Sequence, residues 1–200
     1  MIEFDVDKAM EAMYNEPMNN HVADAFSCSI CGFRLPRYHE IPNMGLYLEQ
    51  TTKYINQCIQ PLGFENVTST MIRNYVKHGL ITNPVKKQYT ADQIAHLIAL
   101  ALLKQVTPLE HINDLFQLLA QGETYSVPVA YDYFCEELEN TLYFRFGLKE
   151  TIDEVGVTSS LEKEMLRSAV TAVSHIVYLN RCFLVLEEQK QENGISYDLK

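Results

Sequence analysis

The sequence predicts an all-α fold with a minimal β wing. Three observations carry this. Apolar residues recur at helical spacing through most of the 200 residues. Helix-capping signatures stand in front of several of those runs. Only residues 85–89, VKKQY, read as a short extended ribbon, after the turn signal of Asn83 and Pro84.

The elements follow in order. Residues 1–33 are acidic, Met-rich and weakly patterned, and Pro17, Asn19 and Asn20 interrupt them, so a short helix and then irregular chain are expected. Pro36 and Pro42 bracket a connector. A helix is predicted from about residue 43 to 59, with Leu46, Tyr47, Tyr54, Ile55, Cys58 and Ile59 on its apolar side, until Pro61 and Gly63 stop it. The next starts at Thr68 or Ser69, both good N-caps. Ile72, Tyr75 and Val76 form its apolar side, and Thr70, Arg73, Asn74 and Lys77 the opposite one. Gly79 suits the left-handed residue that closes a helix, and Lys77 and His78 suit its negative end.

Thr90 and Gln93 form a capping box for a helix over residues 91–106 that is apolar on most sides. Thr107 and Glu110 form a second box, with Pro108 at the first helical position, for a helix that Gly122 ends. A helix from Pro128 to Gly147 is aromatic and acidic, and its carboxylates read as a solvated face. Its aromatic cluster, over residues 131–146, reads as core or as the lining of an effector pocket. The last helix is expected from near Ser159, with Glu162 three residues on, to about Gln191. Met165, Ala169, Ala172, Ile176, Leu179, Phe183 and Leu186 form a heptad seam along it. Leu166, Val170, Val173, Val177 and Leu184 widen the seam, so this helix is expected to pack on its own domain and on a partner subunit.

Charge is unevenly placed. The chain carries a formal −10, yet residues 66–91 contain no Asp or Glu and hold Arg73, Lys77, Lys86 and Lys87. That segment is +4, which leaves −14 on the remainder. A cationic element in an acidic chain reads either as a polyanion-binding surface or as a solvated face. No apolar run looks long enough to cross a bilayer, and the acidic start MIEFDVDKAM lacks the pattern of a secretory signal. A cytoplasmic location with five reduced cysteines is therefore expected. No local set of nucleophile, base and acid stands out, nor a Gly-rich phosphate loop, so no enzyme and no cofactor are expected.

Three runs, MIRNYVKHGLI, NPVKKQYTADQIAHLIALALLK and TPLEHI, resemble the DNA-binding domain of MerR-type winged helix-turn-helix regulators. More closely, LPRYHEIPNMGLYLEQ, TSTMIRNYVKHGLI and KKQYT are similar to a bacterial family known only as a domain of unknown function, whose members are taken to be helix-turn-helix regulators. The likeness covers about residues 35–119. It implies an N-terminal extension (1–34), a winged helix-turn-helix DNA-binding domain (35–122) and a C-terminal helical dimerisation and effector domain (123–200). One departure is a first helix longer than MerR-type domains have. Another is that no metal-binding cysteines follow the dimerisation helix.

On this reading the chain is a sequence-dependent DNA-binding protein and transcriptional regulator. Double-stranded DNA is its partner, and it acts as a homodimer through the last helix. Arg pairs with guanine and Asn with adenine through two parallel hydrogen bonds, which points to Arg73 and Asn74 as base readers. Thr70, near the positive helix end, and Lys77, Lys86 and Lys87 suit phosphate. Tyr89 either packs under the wing or contacts the DNA backbone. The rival reading is a protein-interaction adapter of the same shape that does not bind DNA, which the acidic bulk and the acidic helix after Pro128 would suit. Cys28 and Cys31, spaced as CxxC with His21 and His39 near, are one pair where a structural zinc needs two, so no metal site is expected.

Overall fold

The computed structural model describes residues 28–121, 126–153, 155 and 160–192. The short helix expected near the N-terminus, Gly122 as a helix stop, the cap at Ser159 and the candidate ligand His21 lie outside them.

Six α-helices, two single-turn 3-10 helices (Tyr38–Glu40 and Gln60–Leu62) and one two-stranded ribbon make up the regular elements of the described residues. The order is β1 (Leu46–Tyr47), α1 (Leu48–Ile59), α2 (Ser69–Lys77), β2 (Gln88–Tyr89), α3 (Ala91–Leu103), α4 (Leu109–Gln121), α5 (Val127–Arg145) and α6 (Leu161–Glu192). The fold is thus mostly helical with a minimal β element, as expected. The first helix differs. Leu46 and Tyr47 are strand, and α1 has 12 residues, because Leu46 pairs with Tyr89 and Tyr47 with Gln88 in an antiparallel ladder. The Gln50 side chain then accepts the Tyr47 N–H and starts α1 there. Gly45 permits this approach. Its φ is +73°, and a Cβ would lie 3.1 Å from the Gln88 Cβ.

Local signals place the start of α3, which ends at Leu103 rather than at residue 106. Thr90 Oγ1 accepts the Gln93 N–H, and Gln93 Oε1 accepts the Thr90 N–H at 2.9 Å. Behind this box Ile94, Leu97, Ile98, Leu100 and Leu102 are all buried. The helix is buried on most sides because α1 and α5 pack on it, with α4 and α6 completing the enclosure. One apolar core runs from Ile30 to Val177, so residues before and after the α4–α5 connection share it.

The acidic helix α5 overturns an expectation. Glu136 is exposed, but Asp132, Glu137 and Glu139 are not a solvated face. Glu139 accepts the Leu35 N–H at 2.9 Å and a two-pronged ion pair from Arg37, both prongs at 2.7 Å. Asp132 accepts the Tyr38 N–H at 2.7 Å. Glu137 is 0% exposed and takes Arg167 of α6 and the Tyr133 hydroxyl on one oxygen. These groups fasten the strap before β1 and the helix α6 to α5. Only a carboxylate with such partners survives burial. The hydrogen bond to Glu139 holds the Arg37 guanidinium above its ordinary pKa, against the opposing effect of burial.

Helix α6 carries two apolar stripes. Leu166, Val170, Val173 and Val177 enter the core. On the heptad seam Ala169, Ala172 and Ile176 are half-buried, while Met165, Leu179, Phe183 and Leu186 are exposed. Together the stripes make α6, over Leu161–Glu188, long and apolar enough by length and composition to cross a bilayer. The expectation that no run would qualify is corrected on that point. The adjacent core and surface stripes add up in a one-dimensional hydropathy count.

Candidate nucleic-acid interface

Helix α2 exists because its ends are capped locally. Thr68 is its N-cap, and its hydroxyl accepts the Met71 N–H at 3.1 Å. At the other end Gly79, φ +75°, donates to Val76 O, and Leu80 donates to Tyr75 O at 3.0 Å. That pair of bonds is a Schellman closure, which needs the left-handed residue that Gly supplies. Ile72 and Tyr75 fix the inner side in the core. Asn56 of α1 fixes the angle of approach. Its amide donates to Val67 O at 2.9 Å and accepts the Val67 N–H at 2.8 Å.

With Ile72 and Tyr75 inward, Thr70, Arg73, Asn74 and Lys77 stand exposed on the outer side. The structure therefore brings these four together on one face. One detail bears on Thr70. Glu49 Oε1 lies 2.9 Å from Ser69 Oγ, which itself is 3.0 Å from Thr52 Oγ1. A carboxylate thus already sits at the first turn of α2, where the helix dipole favours negative charge. Phosphate is opposed at this end, and the favourable cations lie further along, at Arg73 and Lys77. Sequence inspection missed Glu49 because α1 and α2 meet only in the tertiary fold.

The wing is a two-residue hairpin. Val85 bridges Gln88, and the Gln88 N–H donates to Val85 O at 2.9 Å. The two turn residues are Lys86 and Lys87, with φ of 50° and 66°. Both central residues at positive φ is the type I′ pattern, for which Asn-Gly is the favoured pair. Left-handed backbone costs a Cβ-bearing residue roughly 1–2 kcal/mol. Two exposed lysines thus occupy a tip where two better turn formers are available. No motif signalled this turn, since neither Asn nor Gly marks it.

Of the two roles read for Tyr89, packing under the wing is the one its burial fits. It is 3% exposed and belongs to the core, and burial raises its phenol pKa. Strand alternation explains this: Gln88 turns outward and Tyr89 inward, against the α1–α3 core. Tyr89 anchors the wing from beneath and is removed from the contact set.

Among the described residues, none of Arg73, Lys77, Lys86 and Lys87 forms an ion pair. The surface remains positively charged. Elsewhere, Cys28 and Cys31 are free and exposed. Among the described residues no group of three His, Cys, Asp or Glu is placed to hold a metal ion.

No curated protein and no solved structure matches this chain. Residues 36–134 match the family described as Domain of unknown function (DUF1836), a stretch that runs from the strap before β1 into α5 and holds the whole of the basic surface.

Proposed function

We propose that this chain binds double-stranded DNA in a sequence-dependent way as a winged helix-turn-helix protein and regulates transcription as a homodimer. The observation that carries the reading is the wing tip. Two lysines are held in a costly backbone conformation, project into solvent and, among the described residues, pair with no carboxylate. Strain kept at a protruding cationic tip points to a function for the charges there. Helix α2 supplies the second element: Arg73 and Asn74 face outward on its exposed side, with the chemistry to read guanine and adenine in a major groove. Lys77, Lys86 and Lys87 hold phosphates beside it.

Pairing of two copies through the exposed seam of α6 would set two α2 helices on one duplex. Four cations per chain correspond to a salt slope of about −3.6, and a dimer to about twice that. The adapter reading loses one of its supports, because Asp132, Glu137 and Glu139 of α5 are engaged internally.

The test uses Lys86→Asn together with Lys87→Gly. Binding sites are first selected from a randomised duplex pool with the parent protein. The variant relieves the turn, so urea unfolding should show a gain of about 1–2 kcal/mol. It also removes two phosphate contacts per chain, so the salt slope on the selected duplex should flatten by about 1.8 per chain. A variant that gains stability and binds DNA like the parent would sink the reading, as would parent binding that ignores salt.

A further inference from the structure

We propose that the cleft between α3, α4 and α5 is a small-molecule site. Its ligand class is a short branched aliphatic tail with a hydrogen-bond-donating head, an alkyl ammonium or an alcohol. This stands on the cleft alone and does not depend on the DNA reading.

The inner part is an apolar slot of about 80 Å³. Ala95 and Ala99 of α3, Ala120 of α4 and Ala130 of α5 line it, with Phe116 and Phe134. Four alanines where three helices meet leave space that larger side chains would fill. Water gains little there, since a buried water needs two to four polar partners. The volume is roughly half that of a cavity of about 150 Å³ that accepts benzene, so the slot suits a branched chain of a few carbons rather than a ring.

The outer part is a wider mouth of about 470 Å³ with mixed polar and apolar walls; it adjoins the slot, and His96, Phe116, Ala120 and Val127 line both. His96 decides the chemistry of the head. Its Nδ1 lies 2.7 Å from the Asp92 carbonyl oxygen, one turn back on α3. A carbonyl only accepts, so Nδ1 carries a hydrogen, and the neutral tautomer that this contact selects offers Nε2 as an acceptor. The ring is held edge-on to Phe116, with centroids 5.2 Å apart. Asp92 also lines the mouth, and its carboxylate, which accepts the Tyr38 hydroxyl at 2.6 Å, adds negative charge nearby. Acceptor and carboxylate together favour a donor or a cation and disfavour an anionic head.

The opposite wall is the turn that closes α2, formed by Gly79, Leu80, Ile81 and Thr82. Gln93 ties this turn to α3, donating to Thr82 O at 2.8 Å and to Thr82 Oγ1 at 3.0 Å. An occupant of the mouth therefore touches the end of α2.

The test titrates the full chain, with labelled Ala, Leu and Ile methyl groups, against isoamylamine, isoamyl alcohol and isovalerate. Amine and alcohol should give saturable shifts at Ala95, Ala99, Ala120 and Ala130, and at Leu80 and Ile81. Isovalerate should bind at least tenfold more weakly than the amine. Ala99→Leu fills the slot and should abolish the shifts. Ala120→Leu, at an exposed position, does the same with less risk to folding. His96→Leu should weaken alcohol binding about tenfold, the loss of one hydrogen bond. The proposal is overturned by an absence of saturable shifts with amine and alcohol, by isovalerate binding as well as the amine, by shifts that skip Leu80 and Ile81, or by binding that survives a folded Ala120→Leu variant.

Discussion

Two charged regions of this molecule were built from similar side chains and met opposite fates. On α5 and the strap before β1, the ionic groups face each other. Arg37 grips Glu139 at 2.7 Å through both nitrogens, and Arg167 reaches the buried Glu137 at 3.0 Å. On α2 and the wing, Arg73, Lys77, Lys86 and Lys87 face solvent and form no ion pair among the described residues. The first region uses charge to close the fold. The second leaves charge available to something outside it. A buried pair broken on one side is costly, whereas an exposed cation contributes almost nothing to stability. Stability and external binding should therefore respond to different residues, and mutation can separate them.

The largest effect is expected at the seam that would double the basic surface. Leu179→Asp with Phe183→Asp puts two charges on the exposed apolar stripe of α6, where the parent side chains are 48% and 55% exposed. Sedimentation equilibrium should then report monomers, with the DNA salt slope halved from about −7 to about −3.6. A parent protein that is itself monomeric on DNA would remove the dimer from the proposal. Next is Arg37→Ala, which strands the Glu139 carboxylate and the Leu35 amide it helps to organise. Urea unfolding should show a loss of about 3–5 kcal/mol, while DNA affinity per folded molecule stays at the parent value. A loss below about 1 kcal/mol would mean that the clamp is not closing the fold. The smallest is its mirror image. Arg73→Ala should leave stability within about 0.5 kcal/mol of the parent and cost about 1–3 kcal/mol in DNA binding, concentrated at one base pair of the selected site. If the penalty were the same on every sequence, Arg73 would be a phosphate contact and not a reader.

Different kinds of residue were readable before the fold was known. The start of α2 at Thr68, its closure at Gly79 and the box at Thr90 and Gln93 involve bonds between residues at most five apart, and all are legible in the sequence, the first as one of two adjacent candidates, Thr68 and Ser69. The exposed face of Thr70, Arg73, Asn74 and Lys77 follows from helical period once Ile72 and Tyr75 are inside. The strand at Leu46 and Tyr47 was read as helix, because its partners Gln88 and Tyr89 lie more than forty positions away. The same distance effect misassigned the α5 carboxylates. Nothing near Glu139 in the sequence announces Arg37, 102 positions earlier. Tyr89 fits both roles given to it by composition, and only the ladder register turns it inward.

By itself, then, the sequence determined most of the helices, the caps of α2 and α3 and the separation of basic from acidic segments, since these depend on neighbours along the chain, whereas the Thr107 hydroxyl read as a cap pairs with His111 instead. The tertiary structure alone decided which charges are spent in closing the fold and which stay free. It also decided where Lys86 and Lys87 are carried, and which alanines meet to leave a cleft. Solvation and partnership are properties of what packs against a residue, and packing joins parts of the chain that no local pattern connects.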